Sequence, residues 1–129
     1  MISVDTNVLV RIITNDHPKQ AKLAAAVLEK ERVFISTTVL LEMEWVLRYA
    51  YEAKRETILK AFRSILGLPN VETEDALCIA RALKWYEGGM DFADALHLAS
   101  SLNANKFITF DVRLYKKSKE IKEISVSCL

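Results

Sequence analysis

Ile2-Ser3-Val4-Asp5-Thr6-Asn7-Val8-Leu9-Val10 decides the architecture. The β-branched start reads as a strand over residues 2–4, stopped at Asp5-Thr6-Asn7 and followed by a short helix over 8–13. The same strand-to-helix step recurs. Residues 33–36 form a β-branched and aromatic run, after which Thr37 or Thr38 caps a helix carrying Val39, Met43, Val46 and Ala50, with Leu40 and Leu47 beside them. Between these steps, Asn15-Asp16-His17-Pro18 is a breaker that puts proline at the start of a helix over 19–31. Further on, helices are predicted over 55–66, ended by Gly67 and Pro69, and over 74–87, ended by Gly88-Gly89. Asp91 opens a helix over 92–102, and a basic helix covers 112–121. Strands fall at 70–73, 106–110 and 124–129. Strands that alternate with helices, with few tight turns, call for a mostly parallel sheet with helices on both faces. The predicted class is α/β, in three layers.

Composition narrows the rest. With 51% hydrophobic residues in 129, the chain can bury a core without disulfides or a structural metal. Only 3 Gly and 2 Pro are present, and no repeat or linker interrupts them, so residues 1–129 are expected to form a single domain. Cys78 and Cys128 sit in an apolar helical run and a strand-like end, as plain thiols rather than a disulfide framework. No leader and no apolar stretch of about 20 residues is visible, which predicts a cytoplasmic protein with no membrane partner. The net charge is +1, yet residues 106–129 hold 6 basic and 3 acidic groups against 12 and 14 in residues 1–105. That asymmetry is compatible with a nucleic-acid partner, but most charge runs are only solvated faces.

Ligands of an open parallel sheet bind beyond the carboxyl ends of its strands. Asp5 follows the first strand and Asp111 follows Phe107-Ile108-Thr109-Phe110. Asp94 lies in the first turn of the preceding helix, and Glu42 lies in the first turns of the helix after the second strand. All four can share one rim. Two charges ~4 Å apart repel by about 1 kcal/mol in water and roughly 4 kcal/mol at an effective dielectric of about 20, so such a cluster asks for a cation. Oxygen donors without Cys or His suit Mg²⁺ or Mn²⁺ rather than zinc. Such ions acidify water and neutralise charge on a phosphodiester, which implies phosphate-ester hydrolysis. The competing reading needs no metal. Asp5 can form an Asx turn, Asp91 and Asp94 can cap and stabilise a helix start, and Asp111 can cap the last helix. Glu42 and Glu44 flank the apolar stripe on opposite sides, and a helical wheel does not choose between them.

Taken in order, the opening stretch, Thr37-Thr38-Val39-Leu40-Leu41-Glu42, Asp91-Phe92-Ala93-Asp94-Ala95-Leu96-His97-Leu98-Ala99 and Phe110-Asp111 closely resemble the PIN domains of VapC-type toxins. The resemblance runs from the first strand to Asp111. It implies a central parallel sheet and a metal-dependent endoribonuclease acting on RNA. It also implies a cognate antitoxin as partner and a homodimer. By position, the family's catalytic, metal-binding acids fall on Asp5, Glu42, Asp94 and Asp111, which selects Glu42 over Glu44. Thr6 and Asn7 match the polar residues that orient the first acid. Asp91 is a cap first and an outer partner of the metal second.

The remaining features are weaker. His17 and His97 are read as structural, and Ser36, Thr37 and Thr38 as caps rather than nucleophiles. Trp45, Tyr49, Tyr51, Trp85 and Tyr86 are placed on helices as packing or dimer contacts. Arg113 and Lys116 are the candidates for phosphate contact. A haloacid-dehalogenase-type phosphatase would want a second aspartate two residues after Asp5, where the chain has Asn7, and a receiver domain would want paired acids there. A non-catalytic RNA- or protein-binding module on the same fold is the alternative from another class.

Overall fold

The strand-to-helix step at the amino terminus is built as its residues dictate. In the computed structural model, which describes residues 1–129, β1 spans Ile2–Ser3 and α1 spans Thr6–Thr14. Asn15 closes α1 with a positive φ of 50°, a conformation asparagine tolerates, and its N–H bonds back to Arg11. Pro18 then opens α2 (Pro18–Lys30), where its missing N–H costs nothing. β2 (Val33–Ile35), α3 (Thr37–Tyr49), α4 (Arg55–Leu66) and β3 (Val71–Thr73) follow.

Two compact units divide the chain, Met1–Ala76 and Leu77–Leu129. In the first, β1, β2 and β3 form a parallel sheet in that order, with Ile2 opposite Val33 and Val33 opposite Val71. The central strand β2 contributes the fully buried Val33 and Ile35. α1 packs against α2 and α3, and α4 packs against α3 and β3. Their buried faces are Leu9 and Val10, then Leu40, Met43 and Leu47, then Ile58, Phe62 and Ile65. The side-chain amide of Asn70 donates to the carbonyls of Leu28 (2.5 Å) and Glu31 (2.6 Å), tying the end of α2 to the start of β3.

The second unit holds most of α5 (Ala76–Glu87), then α6 (Phe92–Ala99), β4 (Lys106–Thr109), α7 (Val112–Ser118) and β5 (Ser125–Cys128). β4 and β5 pair in parallel, Lys106 opposite Ser125 and Thr109 opposite Cys128, and α7 packs on both. Tyr86 and Phe92 meet edge to face at 5.3 Å. Every strand pair is therefore parallel and every crossover contains a helix, the α/β class predicted. The pairing falls into a group of three strands and a group of two.

Element ends differ from expectation for local reasons. Ser36, not a threonine, caps α3. It is the residue that still has extended angles after β2, and its Oγ accepts from the Val39 N–H at 3.3 Å. α6 stops at Ala99 because Ser101 N–H bonds the Leu98 carbonyl, and α7 stops at Ser118 because Ile121 N–H bonds the Ser118 carbonyl. Both are three-residue spacings that tighten the chain out of the α-helix. Tyr51 lies beyond α3 rather than on it. No helix is long and apolar enough to cross a membrane.

Candidate metal centre

In the first unit, Asp5 stands exposed at the carboxyl end of β1 and caps α1, its Oδ1 accepting from Val8 N–H at 3.2 Å. Thr6 is buried, and its hydroxyl donates to Glu42 Oε1. The residue after Asp5 on α1 thus fixes the carboxylate of Glu42 on α3. Asn7 is exposed and lines a cleft of about 300 Å³ with Asp5, whose walls are Val4, Val8, Leu23 and Val27. Glu44 has a different role. It is 1% exposed and pairs with Arg48 one turn on, Nε to Oε2 at 3.0 Å. Helix α3 therefore turns Glu44 into the core as an ion pair and leaves Glu42 exposed beside Thr6.

In the second unit, Asp91 caps α6, its Oδ2 accepting from Asp94 N–H at 3.1 Å. Asp94 is half-buried one turn along. Burial raises its carboxyl above the ordinary aspartate range, and the charges of Asp91 and Asp111 push it in the same direction, against a smaller opposing effect of His97. Asp111 is exposed at the end of β4 and caps α7 through Oδ1, which accepts from Arg113 N–H (2.9 Å) and Leu114 N–H (3.1 Å). Arg113 and Lys116 are exposed on α7.

The structure thus links Thr6 with Glu42 in one unit and sets Asp94 among Asp91 and Asp111 in the other. No group of three or more His, Cys, Asp or Glu side chains is arranged so that it could hold a metal ion. The cap reading of Asp5, Asp91 and Asp111 is realised in each case, yet a cap occupies only one carboxylate oxygen. The other remains a potential donor. The candidate donors are all oxygens, the donor type that a hard divalent cation takes. Sequence reasoning missed the Glu44–Arg48 pair, although its four-residue spacing was the signal. It also missed the exposure of Phe110, because Phe107-Ile108-Thr109-Phe110 carries apolar side chains on both faces and does not say which face is open.

The PIN domain family model matches residues 2–120, and the chain belongs to that family. PIN domains are generally nucleases that use divalent metal ions. Comparison with curated proteins gives no significant match.

Proposed function

We propose that this PIN domain is a metal-dependent endoribonuclease, the toxin of a VapBC-type toxin–antitoxin pair, in which Asp5, Glu42, Asp94 and Asp111 serve as one donor set for Mg²⁺ or Mn²⁺. The observation that carries the reading is Asp94, half-buried, whose carboxyl is raised first by burial and then by the charges of Asp91 and Asp111, a situation that favours a bound cation. The family match supports treating the four acids together, because its span of residues 2–120 includes all four.

When bound, the divalent ion supplies a more acidic water and neutralises charge on the scissile phosphate. The chain's own residues prepare for this. Asp5 is held by the backbone of α1, Glu42 by the Thr6 hydroxyl and Asp111 by the backbone of α7, so each carboxylate is oriented before substrate arrives. Asn7 stands beside Asp5 to orient it, and Asp91 supports Asp94 from the turn before. Arg113 and Lys116 take phosphates of the RNA. The acids act by holding charge, not as nucleophiles.

An antitoxin that blocks the site and a second copy of the chain are the protein partners, and the cytoplasm is the compartment. Trp45 and Tyr49, tilted against each other at 5.1 Å on α3 and both more than half exposed, support a protein contact of this kind. Cleavage of total RNA by the pure protein, run in parallel with Mg²⁺, Mn²⁺ and EDTA, tests the activity. The expected result is metal-stimulated cleavage that Asp5→Ala and Asp94→Asn reduce by roughly 10²-fold or more with the fold intact. Full activity in either pure variant would overturn the assignment. Absence of both cleavage and a Mn²⁺ site by calorimetry would point to a non-catalytic binding module.

A further inference from the structure

The chain has 5 phenylalanines, and Phe110 is 79% exposed while Phe62 and Phe92 are fully buried and Phe34 and Phe107 half-buried. The alternation of β4 accounts for its direction. Phe107 and Thr109 turn inward, while Ile108, 51% exposed, and then Phe110 turn outward. Parallel strands are normally covered on both faces, so an open apolar face at this point is unusual.

The backbone that carries Phe110 is pinned on both sides. Thr109 Oγ1 accepts the Asp111 N–H at 2.9 Å, and Asp111 Oδ1 accepts two N–H groups of α7. The ring therefore projects from a fixed frame rather than from a mobile tip. It stands next in sequence to Asp111, and the exposed cations Arg113 and Lys116 follow on α7.

The geometry points to Phe110 as a stacking platform for one base of a single-stranded nucleic acid lying along β4 and α7, with Arg113 and Lys116 on the neighbouring phosphates. This deepens the nuclease reading and rests on it. A pinned aromatic followed along the chain by exposed cations matches a strand that presents ring faces and phosphates together. The excess of basic groups in 106–129 favours that polyanion over an apolar protein surface. Bases inside a duplex have no free face, so the proposed ligand is single-stranded. Because Phe110 is rigidly presented, little ordering cost accompanies contact.

The test measures binding without turnover, by anisotropy of a fluorescein-labelled single-stranded RNA in EDTA. Phe110→Ala is expected to weaken binding by about tenfold, within the roughly 5- to 150-fold range that stacking on one base gives. Phe110→Trp should keep the affinity, with its indole emission quenched on binding. An abasic strand of the same length should bind wild type and Phe110→Ala alike, because no base remains to stack. Equal affinity of wild type and Phe110→Ala for the normal strand overturns the proposal, as does failure of the wild type to bind. So does a change from dimer to monomer in sedimentation of Phe110→Ala, which would assign the ring to a protein contact. If Phe110-dependent binding stands while metal-dependent cleavage fails, the nuclease reading falls alone. If cleavage stands and Phe110→Ala binds as wild type does, only the stacking proposal falls.

Discussion

The acids of the first unit and those of the second are arranged on opposite principles. Before Ala76, the acids in well-formed contacts have complementary partners. Glu44 has Arg48, and Glu42 has the Thr6 hydroxyl. Asp16 accepts from the Tyr51 hydroxyl at 2.7 Å and the Thr14 hydroxyl at 2.9 Å, with Arg11 at 3.5 Å. After Leu77, Asp94 feels the like charges of Asp91 and Asp111, and both of these are themselves anchored by backbone N–H groups. One region spends Glu44 and Asp16 on structure and leaves Asp5 and Glu42 exposed. The other keeps a carboxylate under electrostatic pressure that only a proton or a cation relieves.

The largest stability effect that would sharpen this contrast lies at Glu44. Glu44→Ala should cost about 2–3 kcal/mol in urea denaturation, less than the roughly 3–5 kcal/mol of a fully buried pair because Arg48 is 38% exposed. Glu42→Gln, two residues away, should change stability by less than about 0.5 kcal/mol, since an exposed amide oxygen still accepts from Thr6. Equal losses from the two variants would break the distinction between structural and site acids.

Asp91 gives an intermediate effect. Asp91→Ala removes the cap of α6 and should cost about 1 kcal/mol, partly offset by relief of Asp94. Asp91→Asn keeps a capping oxygen and removes the charge, so it should be more stable than Asp91→Ala and at least as stable as the metal-free wild type by thermal denaturation. A less stable Asn variant would show that the repulsion is unimportant.

The smallest effects concern pH. Asp94 titrates above the ordinary aspartate range in the folded chain. Below that range both states are protonated and the residue is neutral in effect. As pH rises through it the unfolded chain ionises first, and stability is lost until the raised folded pKa is passed. Asp94→Asn should therefore raise the melting temperature of the metal-free protein at neutral pH, with the gain vanishing in acid. Asp16 is shifted the other way, lowered by the Tyr51 and Thr14 hydroxyls first. Its contribution is present above the ordinary aspartate range and lost as pH falls through the lowered folded pKa. Tyr51→Phe should accordingly melt below wild type at neutral pH, with the deficit shrinking in acid. Melting curves of the three proteins in EDTA across this range decide both signs.

Periodicity made the order of elements legible, and where a stop signal coincided with the last apolar turn even the bounds came through, as for α4 from Arg55 to Leu66 with Gly67 after it. Ends set by tight backbone bonds did not, because nothing in Ser100-Ser101-Leu102 distinguishes one more helical turn from a three-residue turn. The split of the strands into groups of three and two was equally hidden, since hydrogen-bonding partners depend on packing rather than on strand composition. Of the candidate site, the acids at strand ends were visible from their position. The separation of Glu42 from Glu44 came only from the family resemblance, because the wheel reports a flank and not what lies beyond it. Phe110 reads as an ordinary strand residue in sequence, and only its exposure sets it apart.

The Asn70 amide carries a consequence for the ageing of the molecule. Both of its recorded bonds use the NH₂ group as donor toward carbonyl oxygens. Slow hydrolysis to aspartate on storage would replace that donor with a negative charge facing two acceptors, loosening the junction of α2 and β3. An old preparation would then carry a more acidic fraction that unfolds more readily, separable by isoelectric focusing.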